Sequence, residues 1–324
     1  MKKLLALVIV LSLVLSMGIV ASATPNGGGS SAYVDTEEIQ VKKEVVLTNE
    51  DTVHPAEIFN FEIGAGVVED GEAESAPAFD PNEFSISVLQ GEIFGTDDIE
   101  LPVFDEVGVY TYPITEIAGD TAGFVYNLGP NYLKITVIND GEGGFLRVLT
   151  LLDEEAEEKF DAFQNDFSAG SLVISKEITG NYALYDDEFD VTVTLTPPAD
   201  KVIKEGPIEV LDAVNDVGSV TKNSDGTVTV TFKVTHESEV KIANIPYGVG
   251  YVVTEDAGDY DSNVPEGGFT GTIGAASHEI ELVNELDTEI NMGVNLDNLP
   301  YILILGAATL GLVGFTMRKR FNNR

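Results

Sequence analysis

The sequence predicts an all-β protein: two tandem β-sandwich domains, preceded by a signal peptide and followed by a transmembrane helix. Three observations predict it. From Ile39 onward, short runs rich in Val, Ile, Thr, Tyr and Phe are separated by turn clusters such as Gly71–Asn82, Asp140–Gly144 and Asn223–Gly226. No long amphipathic helical pattern interrupts them. A set of landmark residues then recurs, in the same order, in the two halves of the chain. Regular short strands without helices are the pattern of sandwiches.

The elements follow in chain order. Met1, Lys2 and Lys3 precede an apolar run from Leu4 to Val20, and Ala21-Ser22-Ala23 fits a small-x-small cleavage site. Residues 1–23 therefore read as a secretory signal peptide and stand outside the fold. Residues 24–36 are a linker, with a Gly/Ser run at Asn26–Ser31. The first sandwich is expected over 37–168 and the second over 169–287. Pro300–Met317 is apolar apart from Thr309 and Thr316, and Arg318, Lys319 and Arg320 follow it. Such a run can cross a bilayer with its basic tail inside. The bulk of the chain is then expected outside the membrane.

The repeat rests on paired landmarks. VKKEV at Val41–Val45 resembles ISKEI at Ile174–Ile178. Each is followed by a Phe-containing strand, Glu57–Gly66 and Phe189–Thr196, and then by a Y-x-[IV]-T-E strand. Asp225–Val234 alternates strictly after a turn and is a clear strand. The best helical candidate is the short acidic stretch Asp153–Phe160. Glu69–Glu83 reads as a solvated acidic loop.

Strand phase then poses a question. Alternate side chains share a face. Tyr112, Ile114 and Glu116 point one way, as do Tyr251, Val253 and Glu255, so a carboxylate twice joins the apolar face. The first strands place Lys43 among Ile39, Val41 and Val45, and Lys176 among Leu172, Ile174 and Ile178. The last strands place Asn165 between Phe163 and Phe167, and Asn284 among Ile280, Leu282 and Leu286. A single lysine of this kind usually snorkels to water, and a single asparagine or glutamate is usually an edge residue. The same ordered triplet twice, in phase with the core each time, calls for another account.

A buried charge is costly unless it is paired or neutralised. Desolvation pushes a lysine down and a glutamate up in pKa, and a neutral amine is a nucleophile. A protonated glutamate can hydrogen-bond the asparagine carboxamide oxygen, polarise its carbon and shuttle protons. The triplets Lys43, Glu116, Asn165 and Lys176, Glu255, Asn284 could thus each form a Lys–Asn isopeptide bond with loss of ammonia, once per molecule. Such a bond would also supply the staple that a chain without cysteine lacks.

On these residues the chain resembles the major pilins of Gram-positive bacteria, the backbone fimbrial subunits of the T-antigen type. Gly108–Asp120 (GVYTYPITEIAGD), YLKITVIND and Phe163–Phe167 (FQNDF) carry the likeness in the first half. SLVISKEITGN, Ile245–Asp256 (IPYGVGYVVTED) and Leu282–Leu286 (LVNEL) carry it in the second. It covers about 37–324. It implies Ig-like sandwiches of the collagen-adhesin B type, with the isopeptide bond formed by Lys43, Glu116 and Asn165 and by Lys176, Glu255 and Asn284. Lys42 and Asn139 are neighbouring rivals in the first domain, although Lys42 faces away from Val41 and Val45.

The resemblance also implies a sortase as partner, covalent assembly with other pilin subunits, and a membrane or peptidoglycan anchor on the extracellular surface. The family carries an LPxTG-like peptide before its apolar span, often a variant such as E-V-P-T-G. Here the position holds Glu289, Ile290, Asn291, Met292 and Gly293, which keeps the acidic, aliphatic and glycine positions and replaces Pro and Thr. No Y-P-K-N-like motif supplies the polymer-forming lysine, and Lys159 is the first candidate, Lys134 the second.

Other classes fare worse. The chain carries 55 acidic against 17 basic residues, a formal charge of −38, which repels nucleic acid. No tryptophan is present to stack sugars. His54, His236 and His278 lack a recurrent partner, and no nucleophile elbow, zinc motif or P-loop occurs. No enzyme beyond self-modification, no cofactor and no metal is expected. Acidic turns at NDGEG and NSDG read first as hairpin turns. The alternative is an anchored surface adhesin of the same domains, binding a host surface ligand.

Overall fold

The computed structural model describes residues 36–49, 51–153, 155–204, 206–214 and 218–288. The expected signal peptide, most of the linker, the Glu289–Gly293 motif and the apolar span lie outside these residues.

The first half contains β1 (Glu38–Leu47), β2 (Glu57–Ile63), β3 (Val67–Gly71), β4 (Glu83–Val88), β5 (Phe94–Glu100), β6 (Gly108–Ile117), β7 (Phe124–Val125), β8 (Asn131–Asn139), β9 (Phe145–Leu152) and β10 (Phe163–Phe167). One sheet runs β5-β1-β10-β7; the facing one runs β4-β2-β6-β8-β9, with β3 also on β6. The second half contains β11 (Ala169–Thr179), β12 (Phe189–Thr196), β13 (Glu209–Leu211), β14 (Gly218–Lys222), β15 (Val228–Val234), β16 (Glu239–Pro246), β17 (Gly250–Asp256), β18 (Asp261–Ser262), β19 (Phe269–Thr272) and β20 (Ser277–Glu285). Its sheets run β13-β16-β11-β20-β18 and β14-β15-β12-β17-β19. All of these strands fall in one compact unit.

Period-two burial explains why these residues are strands. β2 buries Glu57, Phe59, Phe61 and Ile63 and exposes the positions between, and β12 does the same with Phe189, Val191, Val193 and Leu195. Such alternation buries one face of each sheet against its partner. Phe61 stacks on Phe84 with centroids 4.8 Å apart and tilts against Phe163 at 4.9 Å, so aromatic residues from both sheets close the first core.

In each half, the first and last strands lie side by side in parallel, β1 with β10 and β11 with β20. The remaining pairings are antiparallel. The parallel pair puts the start of the first strand and the end of the last at opposite ends of the sheet. Tension along the strands then shears that pair.

Two sequence expectations fail. Asp153–Phe160 is a turn, not a helix. The Asp153 side chain accepts the N–H groups of Glu157 and Glu158 at 3.0 and 3.2 Å, Ala156 adopts φ 58°, and Lys159 bridges back to Leu152. An Asp that bonds the following backbone offers it an alternative to helix. Glu69–Glu83 is not a free solvated loop either. Glu69 lies in β3 and pairs with Lys134 at 2.8 Å, Phe79 is buried edge-on against Tyr112, and the Tyr112 hydroxyl donates to the Pro77 carbonyl.

Candidate functional site

Each sandwich brings its sequence-predicted lysine and glutamate into contact across the core. Lys43 on β1 lies 2.8 Å from Glu116 on β6, and Lys176 on β11 lies 2.6 Å from Glu255 on β17. Lysine and glutamate come from opposite sheets in both halves. Asparagine shares the lysine's sheet, on the neighbouring parallel strand.

The registers coincide. Lys43 stands opposite Phe163 while Asn165 stands opposite Val45, two residues on. Lys176 stands opposite Leu282 while Asn284 stands opposite Ile178, again two residues on. Glu116 pairs with Phe61 of β2, and Glu255 pairs with Val191 of β12. Two residues before each of those partners stands a phenylalanine. The Phe59 ring lies 4.7 Å from Lys43 Nζ and the Phe189 ring 4.5 Å from Lys176 Nζ. Strand alternation places both phenylalanines on the core face, and nothing local in the sequence marks their contact with the lysines. Each excludes water from the amine while offering it the face of a ring.

Burial sets the electrostatics. Burial pushes the Lys43 amine down to about 8, with the charge and hydrogen bond of Glu116 pulling it partly back. Burial pushes Glu116 up, with Lys43 and the Asn165 hydrogen bond opposing it. Lys176 is likewise lowered, by burial against the opposing pull of Glu255. Both members of the first pair are moved toward their neutral forms. Proton transfer from ammonium to carboxylate yields a free amine beside a carboxylic acid.

The carboxamides are held differently. Asn165 Nδ2 donates to Glu116 Oε1, and Asn165 Oδ1 accepts the backbone N–H of Asn127 at 2.9 Å. The expected contact was from glutamate to the carboxamide oxygen. An ionised carboxylate only accepts, so it takes the amide N–H, and a backbone donor takes the oxygen. Asn284 is fully buried, and neither its Oδ1 nor its Nδ2 has a hydrogen-bond partner. Beside it, Ser262 Oγ donates to Glu255 Oε2 at 3.2 Å. Two orphaned buried polar atoms cost stability.

The rivals lie elsewhere. Asn139 is exposed at the end of β8. Lys42 points to the other face and sits over Phe94 at 4.8 Å. Lys159 is exposed, while Lys134 is tied to Glu69. His54 faces the carbonyls of Pro55 and Glu92, His236 accepts from Ile178 N–H, and His278 accepts from Gly274 N–H. The NDGEG and NSDG segments are turns held by Asp140 and Asp225.

The chain is similar to known proteins in both halves. Residues 39–168 match the family described as a Spy0128-like isopeptide containing domain, and residues 170–286 match a domain of unknown function. A curated protein of Streptococcus pyogenes serotype M1, named pilin, is 23% identical over 327 residues, spanning 92% of this chain and 95% of its own length. The crystal structure of the major pilin from Streptococcus pyogenes superposes with a TM-score of 0.54 at 21% identity, covering 79% of this chain and 100% of that one. Its variant with one asparagine replaced by alanine gives 0.51 at 20% identity, covering 78% of this chain and 100% of that one. The likeness to these structures is one of fold.

Proposed function

We propose, from the premise that this chain is similar to Gram-positive major pilins along most of its length, that it is the structural subunit of a covalently assembled surface pilus. Each domain, 37–168 and 169–287, closes one intramolecular Lys–Asn isopeptide bond. The observation that carries this reading is the repeated register of lysine, glutamate, asparagine and phenylalanine in two halves of different sequence.

The chemistry follows from the contacts. Lys43 passes a proton to Glu116 and becomes a free amine. Its lone pair attacks Cγ of Asn165. The Nζ–Cγ bond forms and the Cγ–Nδ2 bond breaks. Of the two protons that Nζ gives up, one reaches Nδ2, which leaves as ammonia, and the other remains on Glu116. No electrons are gained or lost. Lys176, Glu255 and Asn284 perform the same step. The sandwich holds amine and carboxamide together, an orientation advantage of up to ~7–11 kcal/mol. The reaction occurs once, so the protein modifies itself and turns nothing over.

The bonds join the parallel strands that tension would shear. Load then passes through a covalent link instead of a ladder of hydrogen bonds. Each link also closes a loop of more than about a hundred residues, worth ~4–5 kcal/mol on the chain-entropy estimate used for disulfides.

Assembly is assigned to a sortase acting at Glu289–Gly293, with Lys159 of the next subunit as acceptor and a membrane-anchored precursor. Lys159 supports this role by its exposure beside β9. A ladder of very large species in cell-wall extracts tests the pilus reading; a surface protein found only as monomer contradicts it.

A further inference from the structure

The two cross-linking sites differ in what orients the carboxamide. Asn165 Oδ1 accepts the Asn127 N–H, whereas Asn284 Oδ1 accepts nothing. Asn127 sits in a turn of its own making, its side chain accepting the Gly129 N–H at 3.3 Å. The segment leading into it, Gly119 to Tyr126, is held from the second sandwich.

That hold has three parts. Thr121 bridges Val202 in parallel: Ala122 N–H donates to the Val202 carbonyl at 2.9 Å, and Val202 N–H donates to the Asp120 carbonyl at 2.8 Å. Lys201 Nζ donates to the Gly119 carbonyl at 3.1 Å and lies 5.0 Å from the ring centre of Tyr126, the residue before Asn127. Glu57 of β2 accepts the Thr121 hydroxyl on one oxygen and lies 2.9 Å from Lys204 Nζ on the other. Three residues of the second sandwich, Lys201, Val202 and Lys204, thus hold the strap that ends at Asn127. Gly119 permits this packing, since a Cβ there would fall 2.4 Å from the Tyr126 hydroxyl.

Glu57 also touches the chemistry from another side. It shares the buried face of β2 with Phe59 and Phe61, the rings beside Lys43. Its charge adds to the burial that raises Glu116. Lys204 supplies the counter-ion for that buried carboxylate.

When the amine attacks Cγ, negative charge gathers on Asn165 Oδ1. A fixed N–H aimed at that oxygen stabilises the transition state, and losing one such donor typically slows a reaction ~10²–10³-fold. We infer that the Lys201–Lys204 segment positions the Asn127 N–H on Asn165, so that the first sandwich closes its cross-link efficiently only after the second has folded against it. This inference rests on the cross-linking reading above. The first bond would then report on completion of the whole two-sandwich body.

The test uses the full ectodomain, recovered unfolded from inclusion material, refolded by dilution and quenched over time. Lys43–Asn165 and Lys176–Asn284 linked peptides are counted by mass spectrometry. The Lys201→Ala/Lys204→Ala double variant should form the first link at least about tenfold more slowly and the second at the unmutated rate, which also shows the second sandwich folded. Lys201→Arg/Lys204→Arg, which keeps both cations and their N–H donors, should retain most of the unmutated first rate. Asn127→Pro, which deletes the donor itself, should slow the first link alone. An unchanged first rate in either the double variant or Asn127→Pro overturns the inference. Absence of both links from the unmutated protein instead overturns the cross-linking reading beneath it.

Discussion

Lys43 Nζ and Glu116 Oε2 stand 2.8 Å apart with side-chain exposures of 0% and 2%, an ion pair sealed inside a β-sandwich. Buried pairs of this kind add little net stability over apolar packing, and removing one partner costs about 3–5 kcal/mol. Stability alone therefore gives weak grounds for placing the pair in both halves. A reaction that needs a neutral amine beside a carboxylic acid gives strong ones.

Glu116→Ala should abolish the Lys43–Asn165 bond and leave Lys176–Asn284 intact; Glu255→Ala should do the reverse. Each variant should melt in two steps, with the affected sandwich destabilised by several kcal/mol from the unpaired lysine and the lost loop constraint. Linked-peptide mapping and calorimetry check both halves of this. Loss of both bonds from one substitution would show that the glutamates do not act within their own sandwiches.

The pH dependence of closure in the first sandwich follows from the shared proton. Reaction needs the neutral amine and the protonated carboxyl together, and that pair carries one proton in total. The rate should be level through neutrality and fall above about pH 8, where the pair loses its remaining proton. Before closure, Lys43 binds fewer protons folded than unfolded between its lowered value of about 8 and the ordinary lysine value of 10.5. Stability of the unlinked sandwich should therefore rise with pH across that window. A rate that climbs steadily through pH 10 would mean the proton on Glu116 is not used.

Phe189→Ala should slow formation of the Lys176–Asn284 bond and spare the other. The ring seals Lys176 from water, and each unit of pKa recovered on hydration removes about tenfold of the neutral amine at neutral pH. Refolding time courses read the two bonds side by side. Equal rates for wild type and variant would leave the phenylalanine as packing only.

Lys159→Ala should abolish high-mass ladders while monomer still reaches the surface, and mature subunits should end at Met292. Ladders that persist in the variant move the acceptor to Lys134 or another lysine. A mature C-terminus that still holds Pro300–Met317 removes the sortase step.

Much of this was readable from strand phase. Period two assigns every residue of a half-buried strand to one face, so Lys43, Glu116 and Asn165 declared themselves by interrupting apolar sets, and so did their counterparts. The parallel pairing of first and last strands, which makes lysine and asparagine neighbours, has no local signature. The same holds for Asn127: its NLGP context signals a turn but not that its N–H would meet Asn165. Lys201 and Val202 sit in a stretch that reads as an ordinary loop, because their partners Gly119 and Thr121 are about eighty residues away. The stretch Asp153–Phe160 resembles a helix start in sequence yet forms a turn, because acidic residues favour both a helix start and a side-chain-capped turn.

Intact-mass measurement of the folded ectodomain decides whether the two bonds exist. Two isopeptide bonds predict a deficit of two ammonia molecules from the sequence mass, with Lys43–Asn165 and Lys176–Asn284 peptides after digestion. The full sequence mass, with no linked peptide from either sandwich, would contradict the account.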